Sequence, residues 1–502
     1  MSFLSLPLEI HQRIISYLLS NRDVAALSVQ CRTLHSMCDM ATRKKYHRIS
    51  VSSAEEDIDR SFDLLMDILK RPNLGTYVRH VECCNATYRR MGYKEAKFQR
   101  DLSEEEMNLV RKAVRKGGFT AREERVVNML MQRMGKTATF TYQQRESIGT
   151  FVTQALTAIL IVVSPNVVSM AMTHPAGFIS NVIDFPLAEF LRQANASPEN
   201  KPYLRNLRSV YIINKNDDTW SDSRYYVPLD FSGCLRFFDN LLSIDSVRVD
   251  VMEEDENEEL QFKEKCSNIS NISIRHSSVG SLYLATLIWS CKVLREFQYS
   301  IGGRAASNDG GYSAFSPKVF IKVLCAHKET LEILDVDAED EIHVFEISDE
   351  EDRDERFNEN GSPFEYGIDD ETSAFYKSIW TYSGSLKEFV ALKRLSLGIN
   401  FLLYFAAGVS GEPYKKKKGK SNLVDCLPVG LEYLCVRGYQ KGENEEHDEQ
   451  MDALMVFYKS GTSQLKEVKG VDKVIHNAET VQYPDDNPHL LWSLSEMGYE
   501  SD

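Results

Sequence analysis

The chain has 502 residues, room for several domains or one extended repeat array, and 43% of them are hydrophobic, so a sizeable core is expected. Fifty-nine Lys and Arg against 74 Asp and Glu leave a net charge of −15, which excludes wholesale binding to phosphate backbones and permits only local basic patches. Ten cysteines without a CxxC, only Cys83 and Cys84 being adjacent, exclude a disulfide framework and point to a reducing compartment, cytoplasmic and/or nuclear.

The opening "MSFLSLPLEIHQ" lacks a basic stretch followed by a clean apolar one, so no secretory signal is expected. From Leu6 to Ile49 the chain reads as three short helices. Ile10, Ile14 and Leu18, with Ile15 beside them, recur at helical spacing, and Pro7 stands where a first turn tolerates it. Asp23 is placed to cap a second helix carrying Val24 and Leu27; a third stretch holds Cys31, Leu34 and Met37. These aliphatics outnumber the faces three small helices can hide.

Between Asn85 and about Thr150 the pattern is helical. "SEEEMNLVRKAVRKGG" carries the capping-box pair Ser103 and Glu106 and ends at Gly117-Gly118, and Thr120 with Glu123 repeats the device, so a helical hairpin is expected over about 85–150. "ALTAILIVVSPNVVSMAM" is broken at Ser164-Pro165-Asn166, short of the ~20 apolar residues a membrane span needs, and reads as a buried helix, a turn and a buried strand.

From Leu207 onward one form recurs: "LRSVYI", "IDSVRV", "ISNISI", "LREFQY", "LEILDV", "LKRLSL" and "LEYLCV". The central residues Val210, Val247, Ile272, Phe297, Leu334, Leu395 and Leu434 lie 37, 25, 25, 37, 61 and 39 residues apart. Two gaps of 25 fall in the window of leucine-rich repeats, and the longer ones read as repeats with insertions. Weaker copies are "YVRHVEC", "NVVSMAM" and "LKEVKG", and helices are expected in "SLYLATLIWSCKVL", "SPKVFIKVLCAHKETL" and "QMDALMVFYKSG". Each unit is strand, turn, helix, and stacked units bury a continuous core. An acidic insertion over about 337–372 and a basic loop over about 408–425 are expected to be polar surface.

No active site is legible. "GGRAASNDGG" lacks the order of a phosphate-binding loop, and no HExxH, zinc-spaced Cys/His cluster or GxSxG occurs, so no catalytic residue, metal or cofactor is assigned. Lys415–Lys420, "KKKKGK", reads either as a solvated loop or as a nuclear-import signal.

"LPLEIHQRIISYLLSNRDVAALSVQCRTLH" resembles the F-box motif of fungal-type F-box proteins with irregular leucine-rich repeats, through Leu6, Pro7, Glu9, Ile10, Ile14, Tyr17, Leu18, Asp23, Leu27, Val29, Cys31, Arg32, Leu34 and Tyr46. Leu34 departs from it, many members having a larger aromatic there. The resemblance implies an α/β chain with a three-helix F-box over 1–50, followed over 51–502 by a leucine-rich-repeat horseshoe. It also implies a non-catalytic role: substrate recognition in an SCF (Skp–cullin–F-box) ubiquitin ligase. A Skp-type adaptor, and through it a cullin, would be held by Leu6, Pro7, Ile10, Ile14, Leu18, Leu27, Val29, Cys31 and Leu34. A protein target would lie on the strand face, near Arg208, Tyr211, Arg248, Arg275, Gln298, Arg394 and Arg437. The other reading is a repeat-protein scaffold without a ligase role, its N-terminal helices capping the array. Neither reading involves membrane or nucleic acid.

Overall fold

The computed structural model describes residues 6–18, 21–84, 100–131, 142–175, 185–214, 225–255, 264–302, 304, 315–339, 378–379, 381–409 and 422–478. These form two compact units. One holds residues 6–214 with Arg236–Ile244; the other holds 225–235 with 245–478. Both are α/β, with parallel strands connected through helices. The acidic insertion, apart from its first residues, the lysines of the basic loop and most of "GGRAASNDGG" lie outside the described residues.

The first unit opens with α1 (Leu8–Tyr17), α2 (Asn21–Ser28), α3 (Arg32–Cys38) and a fourth helix that the sequence reading did not anticipate, α4 (Met40–His47). Asp23 falls in the first turn of α2 rather than at its cap, where a carboxylate still meets the positive end of the helix dipole. Ile15, Val24 and Cys38 form the small core of this module, with Leu18, Leu27, Met37 and Met40 packed around it. The module is tied down through α4. Arg43 donates to the Cys38 carbonyl at 2.9 Å and lies over the Tyr77 ring at 4.6 Å. The buried Tyr46 donates to Asp67 at 2.8 Å.

Asp67 belongs to α5 (Glu55–Lys70), which follows β1 (Arg48–Ser52). Then come β2 (His80–Cys84), α6 (Glu104–Lys116), α7 (Glu123–Leu130), α8 (Tyr142–Val162), β3 (Ser169–Met172), α9 (Pro186–Ala196) and β4 (Ser209–Ile212). The strands pair in parallel in the order β1-β2-β3-β4. The capping box of α6 is present on both sides, and Lys70, with Ser103, holds the Glu106 carboxyl down to about 2. Thr120 makes no such cap; the chain there takes a 3₁₀ turn, Thr120–Arg122, before α7 starts at Glu123.

Helix α8 accounts for the most apolar run. From Thr150 to Val162 every side chain is buried, and its polar groups find partners inside: Thr153 donates to the Ser52 carbonyl at 3.1 Å, and the Gln154 amide donates to Pro175 and accepts from Leu187. Among the described residues no helix is long and apolar enough to cross a membrane.

The second unit carries β5 (Val227–Leu229), α10 (Phe231–Leu235), β6 (Ser246–Asp250), β7 (Met252–Glu254), β8 (Asn271–Arg275), α11 (Ser281–Ser290), β9 (Glu296–Ser300), α12 (Pro317–Leu324), β10 (Ile333–Asp337) and β11 (Arg394–Gly398). It ends with α13 (Ile399–Ala407), α14 (Leu423–Cys426), β12 (Tyr433–Arg437), α15 (Glu445–Lys459) and β13 (Glu467–Lys469). Seven strands pair in parallel in the order β6-β8-β9-β10-β11-β12-β13, and β5 pairs with β7.

The register sets Val247, Ile272, Phe297, Leu334, Leu395, Leu434 and Val468 side by side as one apolar row, because each repeat presents the same position of its strand to its neighbour. Between strands and helices, Phe297, Phe315, Phe320, Phe401 and Phe405 pack in a chain of rings 5.3–6.3 Å apart, mostly tilted or edge-on. All ten strands expected from the sequence are present, the three weaker copies as β2, β3 and β13; β1, β5 and β7 were not foreseen.

Candidate functional site

Two surfaces of the molecule offer contact to a partner. The first is one side of α1. At 3.6 residues per turn, His11, Ile15 and Leu18 fall on a stripe that faces the module's core; His11 and Ile15 are each 1% exposed. The opposite stripe is Pro7, Ile10, Ile14 and Tyr17. Pro7 is exposed, and Ile10, Ile14 and Tyr17 retain 41%, 36% and 68% of their surface. Val29, just past α2, is 77% exposed. Three large apolar side chains in line on a ten-residue helix are unusual for a surface. Covering the remaining area of Ile10 and Ile14 stabilises a complex by about 1 kcal/mol each.

The other expected contact residues are placed differently. Leu6, Leu18, Leu27 and Cys31 are half-buried, Cys31 as the residue before α3. Leu34 is buried at 4% exposure and serves the module's interior, so it presents no surface. Tyr17 is the most exposed residue of the stripe, and the same helical spacing that picks out Ile10 and Ile14 picks it out.

The second surface is the open face of the strands in the second unit. On β8 and β9 side chains alternate, as in β8, where Ile272 and Ile274 are buried and Arg275 is exposed, whereas β11 and β12 also bury outward-parity residues, Ser396 and Cys435. Arg248 is exposed and has no ion pair among the described residues. Arg275 donates to the Gln298 side-chain oxygen, which also accepts from Ser273 at 3.1 Å, while the Gln298 amide donates to Glu296 at 2.6 Å. Gln298 therefore orients its neighbours more than it offers itself. Arg394 and Lys469 both lie over the Tyr433 ring, at 4.5 and 5.6 Å.

Arg437 is committed inside the protein. It pairs with Asp335 at 2.7 Å and Asp337 at 3.4 Å, and burial of Asp337 raises its carboxyl while Arg437 pulls it back. The arginines form no column, because Arg394, Arg248 and Arg275 occupy the first, third and fifth positions of their strands.

The remaining two residues belong to the first unit. Arg208 is exposed just before β4. Tyr211 was expected outside and is 4% exposed, in a cluster with Ala171 and Ile213 and with Cys84 against it. Alternation failed there because both faces of that sheet are covered.

Among the described residues no group of three His, Cys, Asp or Glu side chains has the geometry of a metal site. Neither a scan against protein-family models nor a search of curated proteins returns a match for the chain.

Proposed function

We propose that the chain is the substrate-recognition subunit of an SCF-type ubiquitin ligase. In this reading α1 to α3 act as an F-box that docks on a Skp-type adaptor and, through it, a cullin. The strand face of the leucine-rich repeats holds a protein target, and the chain itself makes and breaks no bond. It acts by raising the effective concentration of target lysines at the transfer centre. The observation that carries the reading is the outward stripe Pro7, Ile10, Ile14 and Tyr17, an apolar ridge on a module whose own core is already closed.

Apolar contact should dominate the docking, since surface ion pairs contribute only ~0–1 kcal/mol each. In calorimetry against the adaptor, Ile10→Ala with Ile14→Ala is expected to weaken binding by about 3 kcal/mol, more than a hundredfold, because truncation also leaves the adaptor's pocket unfilled. Leu6→Ala with Pro7→Ala should weaken it too, with the repeats still folded by circular dichroism. Unchanged affinity in the Ile10/Ile14 variant contradicts the docking. Cullin absent from a pull-down that does contain the adaptor favours the scaffold reading.

A further inference from the structure

Two arginines of the first unit are buried with no opposite charge beside them. Arg43 on α4 keeps 6% of its surface, and Arg79, the residue before β2, keeps 5%. Arginine stays protonated in proteins, and an ion taken out of water is costly to leave without a counter-charge. Among the described residues neither arginine has an ion pair. Asp67 is taken by Tyr46, Lys45 and Arg71, and Glu82 by Arg48 at 2.9 Å; Asp39, one turn ahead of Arg43, makes no ion pair with it.

Both guanidinium groups meet the chain at Tyr77, the last residue of a 3₁₀ turn over Pro72–Tyr77. Arg43 stands over the Tyr77 ring at 4.6 Å while its Nε donates to the Cys38 carbonyl at 2.9 Å. Arg79 donates from Nη1 to the carbonyls on either side of Tyr77, Thr76 at 2.6 Å and Val78 at 3.3 Å. Each group is thereby fixed by one edge. Nη1 and Nη2 of Arg43, and Nε and Nη2 of Arg79, make no hydrogen bond among the described residues. The charges also act on each other: burial first, and then Arg43, lowers the proton affinity of Arg79. Two fixed cations with unused donors suit an oxyanion, which accepts from a planar guanidinium fork two bonds at a time.

The surroundings are also positive. Backbone bonds link the residues that precede the strands of this unit: the Arg79 N–H donates to the His47 carbonyl at 2.9 Å, Val168 to Arg79 at 2.8 Å and Arg208 to Val168 at 2.8 Å. No acid stands in that row, and Lys44 and Arg208 are exposed with no ion pair among the described residues. We propose that Arg43 and Arg79 hold a small oxyanion of the phosphate class between them. Side chains buried this deeply admit an ion rather than a phosphorylated protein segment, so the ligand is inorganic phosphate or the terminal group of a small phosphate monoester. Bound there, it adds an ionic tie between α4 of the N-terminal helical module and the turn that leads into β2. The site stands on these contacts alone and not on the receptor reading.

The test titrates the full chain, dialysed free of phosphate and sulfate, with inorganic phosphate and separately with glycerol 3-phosphate, at an ionic strength held constant with chloride. At least one of the two should bind saturably with Kd below about 1 mM and slow hydrogen exchange in peptides covering residues 40–47 and 72–79 while leaving β8 and β9 unchanged. A preference for the first identifies free phosphate, a preference for the second a small monoester. Arg43→Gln and Arg79→Gln should each weaken binding at least about tenfold, as loss of a charge-assisted bond implies. Arg43→Lys, which keeps the charge and loses the fork, should fall between them and wild type. Arg208→Gln, at the exposed end of the same row, should change affinity by less than about threefold. No saturable binding of either probe up to about 10 mM, protection elsewhere in the chain, or variants at Arg43 and Arg79 that bind as wild type overturn the proposal. If a glutamine variant fails to fold, the exchange footprint on the wild-type chain decides by itself. No adaptor is present, so failure here leaves the docking of α1 standing, and loss of adaptor binding leaves this site standing.

Discussion

The strands of the two units are buried in different ways. In the first unit β3 is buried at every residue and β4 at all but its first, so side chains of both parities are shielded. In the second unit β8 and β9 alternate, with buried residues between half-buried or exposed ones. A sheet covered on both faces reads as a continuous apolar run, and one with a single packed face reads as an alternation. On the function proposed above, the two units meet partners in different ways. The first has closed its strand face at β3 and β4 and exposes an apolar ridge on α1; the second keeps its strand face open at β8 and β9 and closes it at β11 and β12.

The largest effect that tests this contrast comes from substituting outward-parity residues in both sheets. Tyr211→Ala removes a buried ring and should cost about 3–5 kcal/mol. Arg248→Ala, on an exposed position of β6, should stay within about 0.5 kcal/mol. Urea titrations followed by hydrogen exchange in peptides of β4 and β6 report each unit separately. Equal costs at the two positions would erase the distinction between a sealed face and an open one.

Most of the strands were legible because each repeat restates the same apolar-x-x-apolar-x-apolar form, and the α1 ridge was legible because helical spacing sorts Ile10 and Ile14 from Ile15. Strand β1, "RISVS", carries the form as Tyr46, Ile49 and Val51, but the first of these lies within α4, which hid the strand. Tyr211 was misplaced because alternation reports a strand's two faces and not how closely Ala171, Ile213 and Cys84 pack against the ring. Arg437 was read as a contact residue because its partners Asp335 and Asp337 lie a hundred residues earlier, a distance across which no local pattern carries information. The capping signature worked at Ser103 and failed at Thr120, since a 3₁₀ turn intervenes.

A second contrast lies in how the units satisfy polar groups in their interiors. Around α8 and α9 the first uses amides that do not titrate: Gln154, as above, and Asn195, which donates to the Arg236 carbonyl at 2.9 Å and accepts from the Asn240 N–H at 2.9 Å. The second uses His327, whose Nε2 donates to the Ile288 carbonyl at 3.0 Å while Nδ1 accepts from the Leu294 N–H at 3.3 Å. That arrangement requires the neutral ring, and burial lowers its proton affinity below the ordinary imidazole range although the bond to Ile288 opposes this. The unfolded chain then binds more protons than the native one below about pH 6.5. The contribution of His327 is complete above that pH and is lost as pH falls from there toward the lowered native value. The second unit should therefore loosen on acidification around this ring, with faster exchange in α11 and α12. His327→Gln should cost about 1–3 kcal/mol at neutral pH and flatten this part of the pH profile. A wild-type profile with the same slope as the variant between pH 7 and 5 contradicts the assignment.

The smallest effect concerns the residue just before each strand. In the second unit these positions alternate in sign from β9 to β13: Arg295, Glu332, Lys393, Glu432 and Lys466. Arg295 and Lys393 both reach Glu332, at 3.1 and 2.7 Å, and Lys466 reaches Glu432 at 2.7 Å. In the first unit the same positions are His47, Arg79, Val168 and Arg208, with no acid among them. The alternating ladder stitches β9 to β10, β10 to β11 and β12 to β13, and because its side chains are largely exposed each link contributes only ~0–1 kcal/mol. Glu332 joins two links, so Glu332→Gln should cost about 0.5–1 kcal/mol in dilute buffer, and most of that difference should vanish at high salt, where the Debye length shrinks to about 3 Å. Hydrogen exchange in β9 to β11 measured at the two ionic strengths checks both halves. Since neighbouring repeats stabilise one another, salt alone should raise exchange in the second unit's strands and leave β2 and β3 unchanged; an equal response in both would mean that the alternation does nothing for repeat stacking.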